Sequence, residues 1–341
     1  MKEVIAYTYT RDLDKVTKEH AKIFTRINIA FGVLEDHKVI VKGHEKLNYI
    51  KQIREFNPDI KIVLSIGGAG AFGFSNMAMQ KETRDIFLES MIDFVKRYDL
   101  DGIDLDWEFP CTDWGGDFSP KDKENFTILL GEMRETLDSH GSKNNRKYLL
   151  TIAAGVGQWF LDTTEVNKYE KYLDEFMLMT YDLRGFGQEV TGHHTTLYTK
   201  EDDVFKMSAD DGIKLLMNQG VPKEKIVIGG AMYSRFWEEV PDVNHGLLQK
   251  AKANGGQGYM VYPQLQYEVI ENEDFEDFWD DEAKVPWSYS REGIFVTYDN
   301  ARSIEEKCQY ILKNDLPGIM FWVYVDWPEN PLIEKMKILR K

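Results

Sequence analysis

Residues 101–108 read Asp-Gly-Ile-Asp-Leu-Asp-Trp-Glu, and this stretch decides how the rest of the chain is interpreted. Alternate residues of a β-strand lie on the same face, so Asp104, Asp106 and Glu108 form a column separated by apolar residues. Three carboxylates inside a protein core repel one another and lose their hydration. Because folding gains nothing from such a column, we interpret it as a functional site.

Acid and base chemistry is the interpretation that fits this column best. Glu108 is the uppermost group, at the carboxyl end of the strand, where a substrate would meet it. Burial and the negative charge of Asp106 are expected to raise the pKa of Glu108, so that it stays protonated and can donate a proton. Asp104 and Asp106 are expected to share a proton and to titrate as a coupled pair.

Two other interpretations of the column stay open. The strand could lie at the edge of a sheet with a solvated acidic face, although Leu100 and Trp107 indicate a buried setting. Three carboxylates also suit Mg²⁺ or Ca²⁺, but ligands along one straight strand converge poorly on a single ion.

The column belongs to one of eight strand candidates that alternate with amphipathic helical stretches. The candidates are residues 4–9, 26–31, 62–66, 102–107, 149–153, 176–181, 226–231 and 318–322. Several are almost entirely apolar, as parallel strands buried on both faces should be. This α/β pattern predicts a (β/α)₈ TIM barrel, with an open doubly wound sheet as the alternative.

The connection between the seventh and eighth strand candidates is much too long for an ordinary barrel unit. It is rich in aromatic residues and holds strand-like pieces at 258–262 and 293–298. We therefore predict a small α+β insertion at residues 238–298, with residues 1–237 and 299–341 forming the catalytic barrel.

Capping residues predict where two helices begin. Ser119 and Pro120 are expected to provide the N-cap and first turn of one helix. Ser303 and Glu306 have the spacing of a capping box and are expected to open the last long helix.

Composition restricts the partners of the protein. The 341 residues include 42 Lys and Arg against 58 Asp and Glu, a formal net charge of −16, and no basic cluster stands out, which argues against nucleic acid. No apolar run is long enough to span a membrane. We expect the protein to be a monomer. The first residues do not resemble a leader, so the protein is expected to be cytoplasmic, or secreted with its leader absent from this sequence. We do not expect Cys111 and Cys308 to form a disulfide.

Two short motifs are expected to have structural roles only. Gly68, Gly70 and Gly73 have the spacing of a dinucleotide-binding loop, but they follow the third strand, and no acidic residue ends a strand about 20 residues later. His193 and His194 are adjacent and therefore point apart, with no third metal ligand evident. We expect neither a cofactor nor a metal ion.

Residues 101–108 resemble the signature of glycoside hydrolase family 18, the chitinase family. Other segments resemble motifs of that family in the expected order. They are 64–68 at the third strand, 179–182 and 192–194 at the sixth, 233–235 at the seventh, 320–322 at the eighth, and 283–286 with Tyr298 and Asp299 in the insertion of one branch.

This resemblance implies a retaining hydrolase that cleaves β-1,4 linkages between N-acetylglucosamine units of chitin or chitooligosaccharides through the substrate's own acetamido group. Glu108 would protonate the glycosidic oxygen and later act as base on a water molecule. Asp106, above Asp104, would bind the acetamido N–H while the acetamido carbonyl attacks the anomeric carbon. Tyr181 would hold the acetamido oxygen.

The resemblance also implies the remaining walls of the substrate pocket. Trp322 would form its hydrophobic floor, and the other lining residues would be Tyr7, Phe31, Met179, Asp182, Tyr233 and Arg235. Many family members carry a tryptophan after the residue equivalent to Gly68, as a platform for the sugar beyond the cleaved bond. Here Ala69 takes that place, and Phe72 or Phe74 could substitute.

Three other functions stay open from the sequence. One is endo-β-N-acetylglucosaminidase action on N-glycans, and another is a non-catalytic chitin-binding lectin, against which the presence of Glu108 argues. The third is a metal-dependent phosphodiesterase on a similar barrel.

Overall fold

The structure is a computed structural model that describes residues 1–115, 117–185, 187–251, 253–327 and 329–341. The strands are β1 (Glu3–Tyr9), β2 (Arg26–Glu35), β3 (Lys38–Val41), β4 (Lys61–Gly67), β5 (Gly102–Asp106), β6 (Leu149–Ala154), β7 (Glu175–Leu178), β8 (Ile226–Ala231), β9 (Tyr233–Glu238), β10 (Ala253–Val261), β11 (Phe275–Asp280), β12 (Val285–Ser290), β13 (Phe295–Tyr298) and β14 (Gly318–Trp322). The helices are α1 (Lys18–Ile23), α2 (Ile50–Phe56), α3 (Phe74–Met79), α4 (Lys81–Arg97), α5 (Asp122–Asn144), α6 (Gln158–Thr163), α7 (Val166–Tyr169), α8 (Ala209–Asn218), α9 (Tyr262–Leu265), α10 (Ala301–Asn314) and α11 (Pro331–Met336).

Eight parallel strands form a closed barrel, which confirms the predicted (β/α)₈ fold. The order around the barrel is β1, β2, β4, β5, β6, β7, β8 and β14, and β14 pairs back with β1. All eight predicted strands are present. The exposed-edge interpretation of the acidic column is wrong, because β5 lies between β4 and β6.

Outward-facing residues of the strands join the helices in one buried core. On β5, Ile103 and Leu105 are fully buried in a cluster that also includes Phe87 and Met91 of α4 and Leu129 of α5. Burying a side chain of this size contributes about 1.5–3 kcal/mol. The packing fixes which face of β5 points outward, so Asp104 and Asp106 must point into the barrel.

A second sheet fills the long connection after β8. Five antiparallel strands pair in the order β10, β9, β13, β12, β11. Its core includes Trp237, Trp287 and Phe295. The sheet starts at Tyr233, directly after the barrel strand β8, so the boundary predicted at residue 238 falls on the last residue of β9. The division of the chain into a barrel and an α+β insertion stays a proposal.

Several boundaries differ from the sequence predictions. Strand β2 continues beyond residue 31 and forms an unpredicted hairpin with β3. Helix α5 begins at Asp122. Helix α10 begins at Ala301, because Asn300 is its N-cap and exchanges hydrogen bonds with Ser303. The capping box is therefore real, but it lies one turn earlier than predicted.

Two observations concern the rest of the described chain. No helix within it has the length and apolar character needed to cross a membrane. Cys111 and Cys308 are both free thiols.

Candidate active site

The acidic column lies inside the barrel at the carboxyl ends of the strands. Asp104 and Asp106 are both on β5 and are buried, with exposed fractions of 0% and 5%. Glu108 follows the end of the strand and is partly buried. Residues at this end of such barrels are the ones that reach substrates.

The Asp104 carboxylate is hydrogen bonded by hydroxyl groups of the surrounding barrel strands. It accepts hydrogen bonds from Tyr7 Oη at 2.8 Å, Ser65 Oγ at 2.7 Å and Thr151 Oγ1 at 2.6 Å. Burial raises the pKa of Asp104, and these three donors act in the opposite direction by stabilising its charged form. The Asp104 carboxylate is therefore held in a fixed position beneath the two groups above it.

Asp106 and Glu108 form the pair that shares a proton. Burial, followed by the negative charge of Glu108, raises the pKa of Asp106 well above its ordinary value, and the two carboxyl groups are hydrogen bonded. Asp106 Oδ1 is buried and has no hydrogen-bond partner among the described residues. The site therefore presents one acceptor oxygen that a ligand N–H group could fill.

One expectation about these protons differs from the structure. The sequence places the shared proton between Asp104 and Asp106, but three hydroxyl donors already occupy Asp104, and Asp106 pairs with Glu108 instead. The pKa of Glu108 is raised to about 7, as expected, by burial and by the charge of Asp182.

Two basic side chains, His194 and Arg235, stabilise the ionised form of Asp182. Arg235 donates from Nε to Asp182 Oδ1 at 2.6 Å and from Nη2 to Oδ2 at 2.9 Å, and His194 Nδ1 lies 3.8 Å from Oδ1. Burial alone would raise the pKa of Asp182, but the neighbouring His194 and the hydrogen bonds from Arg235 hold this pKa well below its ordinary range. An ionised Asp182 is thus a permanent negative charge near Glu108.

Aromatic rings cluster around Trp322 at the carboxyl ends of β1 and β14. Trp322 stacks on Phe31 with 5.3 Å between ring centroids, and Tyr9 meets its edge, also at 5.3 Å. Tyr7 lies 6.0 Å away. Gly68 has a φ of +93°, and a Cβ there would lie 2.5 Å from the Phe31 ring, so this position of the motif requires glycine.

Tyr181 and Met179 pack, as Trp322 does, against the apolar interior of the barrel. The Tyr181 hydroxyl is 3.7 Å from Met320 Sδ. Burial, with the charge of Asp106 next in size, raises the pKa of Tyr181 well above its ordinary value. The hydroxyl therefore stays protonated and can donate a hydrogen bond.

Tyr233 connects the site to the second sheet. Its ring lies 6.0 Å from that of Tyr181, 5.1 Å from His194 and 4.9 Å from Tyr259, on which it stacks. Tyr259 is 40% exposed and was not predicted as a site residue. Only the pairing of β10 with β9, which places Tyr259 opposite Arg235, brings it to the cleft.

Of the two residues expected to replace the missing tryptophan, only Phe72 is exposed. Phe74 is 1% exposed and stacks on Trp107, so it cannot contact a sugar, whereas Phe72 is 68% exposed. Trp114, which follows the acidic column, is 66% exposed, and its ring lies 5.6 Å from that of Phe109.

The remaining candidates behave as structural groups. His193 Nε2 lies 3.2 Å from Asp280 Oδ2, which ties the loop to β11. In the part of the chain that the structure describes, no group of three or more His, Cys, Asp or Glu residues is arranged to hold a metal ion. Three cis peptide bonds that the sequence did not reveal lie at the site, at Ala30–Phe31, Glu108–Phe109 and Trp322–Val323.

Comparison with known proteins agrees with this geometry. The family described as Glycosyl hydrolases family 18 matches residues 3–324. Chitinase A1 of Niallia circulans is 32% identical over 309 residues, which cover 85% of this chain and 44% of that protein. The matches to two further chitinase relatives cover 55% and 58% of those proteins. The chain therefore spans about half the length of these three relatives.

Two solved structures show the same fold. A family 18 N-acetylglucosaminidase from Paenibacillus barengoltzii is 43% identical, with a TM-score of 0.96 and coverage of 99% of this chain and 100% of that one. Chitinase ChiW of Paenibacillus sp. str. FPU-7, a multi-modular enzyme, is 33% identical with a TM-score of 0.93, and the match covers all of this chain and 33% of ChiW. The extent of the family match and these identities together establish that the chain belongs to glycosyl hydrolase family 18.

Proposed function

We propose that this protein hydrolyses β-1,4 linkages between N-acetylglucosamine units of chitin or chitooligosaccharides and retains the anomeric configuration. The observation that carries the proposal is the Asp106–Glu108 pair, in which a proton donor stands beside a buried oxygen that lacks a partner. The proton donor can protonate a glycosidic oxygen, and the free acceptor can bind an amide N–H. A sugar that carries a 2-acetamido group offers both a glycosidic oxygen and an amide N–H at one position.

In the first step Glu108 donates its proton to the glycosidic oxygen, and the bond from the anomeric carbon to that oxygen breaks. The acetamido carbonyl oxygen attacks the anomeric carbon, which gives an oxazolinium ion. Asp106 accepts a hydrogen bond from the acetamido N–H and stabilises the positive charge that develops there. Binding of that N–H favours the charged form of Asp106, so the shared proton moves to Glu108, where it is needed.

In the second step the Glu108 carboxylate removes a proton from a water molecule, which attacks the anomeric carbon and opens the oxazolinium ring. Two inversions at the same carbon give net retention. We assign Tyr181 to hold the acetamido oxygen and Trp322 to support the sugar from below. Tyr7, Phe31, Met179, Asp182, Tyr233 and Arg235 complete the pocket, and Tyr259 of the insertion raises one wall.

A more specific second candidate is release of single N-acetylglucosamine residues from chain ends. It is favoured by the similarity, over the full length of both chains, to the N-acetylglucosaminidase from Paenibacillus barengoltzii. Products from chitotetraose distinguish the two, because an exo-acting enzyme yields N-acetylglucosamine from the outset and an endo-acting enzyme yields dimers first.

The experiment compares chitotetraose with cellotetraose, its 2-hydroxy counterpart, and determines the anomer formed first by proton NMR. We expect turnover of chitotetraose only, with the β-anomer appearing before mutarotation. Equal turnover of cellotetraose, or an α-anomer first, would falsify the acetamido mechanism. If the protein binds chitotetraose without forming products, it is a lectin. If it releases glycans from a glycoprotein and leaves chitotetraose untouched, it acts on N-glycans. Loss of activity in EDTA would favour a metal-dependent phosphodiesterase.

A further inference from the structure

An ion pair with no solvent exposure lies between the barrel and the second sheet. Lys307 of α10 and Asp299, just after β13, are both 0% exposed, and Lys307 Nζ lies 2.6 Å from Asp299 Oδ2. Replacing a buried ion pair by apolar side chains is often neutral or stabilising, so stability alone does not account for one. Its hydrogen bonds indicate what it does.

Asp299 holds the end of barrel strand β8. Its Oδ2 accepts from the backbone N–H of Ala231 at 2.9 Å, and its Oδ1 accepts from Ser303 Oγ at 2.6 Å. Ala231 is the last residue of β8 and stands two positions before Tyr233, whose ring contacts the ring of Tyr181. The Asp299 carboxylate therefore anchors the backbone that leads into this part of the cleft.

Lys307 reaches the other side of the same region through Thr195. Its Nζ donates to Thr195 Oγ1 at 2.7 Å, which leaves the single hydroxyl proton of Thr195 to point away from Lys307. That hydroxyl lies 3.0 Å from the carbonyl oxygen of Thr180 and 3.0 Å from Asp299 Oδ2. Asp299 already accepts three hydrogen bonds, so the proton of Thr195 is available to Thr180.

Thr180 fixes the surface on which the Tyr181 ring rests. Thr180 Oγ1 lies 2.8 Å from both the carbonyl oxygen and the backbone nitrogen of Gly229. A Cβ on Gly229 would lie 2.8 Å from Tyr181 Cε1, so the ring lies directly against the backbone of that glycine. The backbone before Tyr181 and the glycine beneath it are thus held by a single residue.

We propose that Lys307 and Asp299, acting through Thr195 and Thr180, are positioning residues that set the place of the Tyr181 hydroxyl in the cleft. The proposal rests on the proposed function, in which that hydroxyl binds the acetamido oxygen. Lys307 and Asp299 touch neither the substrate nor the reacting atoms, and they act only through the backbone and ring that they fix.

The first test is Lys307→Met, assayed on chitotetraose. We expect kcat to fall about 10- to 100-fold, because small displacements of a positioning group are costly. Binding of a cyclic thiazoline analogue of the oxazolinium ion should weaken in parallel, with a smaller change in KM. Ile311→Ala is the matched control, since Ile311 lies on the same helix one turn further along and is fully buried. It should lower the melting temperature and leave kcat unchanged.

A double variant, Lys307→Met with Asp299→Leu, removes the pair without leaving a lone buried charge. We expect its stability to recover and its kcat to stay low, and its crystal structure should show the Tyr181 hydroxyl displaced. Thr180→Val should also lower kcat, whereas Thr180→Ser keeps the hydroxyl and should retain activity. Recovery of both stability and kcat in the double variant would overturn the inference.

The two proposals fail in different ways. A wild-type protein that turns over no acetamido sugar refutes the proposed function, and the position of Tyr181 in the double variant still tests the cluster. An active wild-type protein whose variants keep kcat, or a Tyr181 that does not move, refutes the positioning role alone.

Discussion

The two ends of the barrel interior both bury charge, but they do so in opposite ways. At the amino end Arg26 is fully buried and pairs with Glu3 and Glu175. At the carboxyl end Asp104, Asp106 and Glu108 are stacked above one another. In the first cluster the charges have opposite signs, and in the second they have the same sign.

The difference separates a cluster that supports the fold from one that suits the proposed chemistry. Burial alone would lower the pKa of Arg26, but the charges of Glu175 and Glu3 raise it, so the guanidinium stays charged at any working pH. At the other end burial and like charges raise the pKa of Asp106 and Glu108, so a proton is retained and can be transferred. A paired cluster has a fixed protonation state, whereas a cluster of like charges does not.

The largest expected effect is that of Glu108→Gln, which breaks the carboxyl-end cluster. We expect kcat to fall by about 10²–10⁴-fold, because the amide cannot donate the proton, with KM little changed. Steady-state kinetics on chitotetraose measure this. Near wild-type kcat in the variant would show that Glu108 is not the proton donor.

The corresponding change at the amino end is Arg26→Met. Removing one partner of a buried ion pair leaves Glu3 and Glu175 uncompensated, and the free energy of unfolding should drop by about 3–5 kcal/mol. The kcat of the folded fraction should stay within a few-fold of wild type. Urea unfolding gives the stability, and Arg26→Lys, which keeps the charge, should lose less. A large loss of kcat without loss of stability would contradict the assigned structural role.

The third prediction concerns pH. The pKa of Glu108 is raised from 4.5 to about 7, so its protonated form is lost and kcat/KM should fall as pH rises through about 7. The same raised pKa makes a contribution to stability that is complete below about pH 4.5 and lost as pH rises through 7. Glu108→Gln should therefore gain on the order of 3 kcal/mol over wild type between pH 4 and pH 8. Parallel stability curves for the two proteins would contradict this.

The smallest expected effect follows from Ser65→Ala. Asp104 loses one of its three donors and keeps Tyr7 and Thr151, so stability should drop by about 1 kcal/mol and kcat by only a few-fold. Thr151→Val is the matched change on the other side of the carboxylate. A loss of kcat comparable with that of Glu108→Gln would mean that Asp104 takes a direct part in proton transfer.

The fold was largely predictable because most barrel strands are rich in apolar residues and can be recognised without knowledge of their neighbours. The antiparallel strand β9 was missed as part of the second sheet, since it follows β8 after a single residue, and no turn residue separates them in the sequence. The start of α10 was placed too late because the pattern of Ser303 and Glu306 hid the stronger cap at Asn300.

The acidic column was predictable for a similar reason, since its three members occupy alternate positions of one short segment. Its proton could not be placed, because the donors that occupy Asp104 come from three other strands. The pairing of Asp182 with Arg235 joins residues 53 positions apart, and no local pattern indicates it. Short-range periodicity reveals which groups share a face, whereas long-range pairing decides their charge.

The salt bridge between Asp182 and Arg235 makes the acidity of the proton donor adjustable from outside the barrel. Arg235 belongs to β9, and it keeps Asp182 ionised beside Glu108. Without Arg235 the negative charge on Asp182 would diminish and Glu108 would become a stronger acid, with its activity confined to lower pH. A change in one residue of the second sheet would therefore shift the pH range of the proposed proton donor while Asp104, Asp106 and Glu108 stay in place.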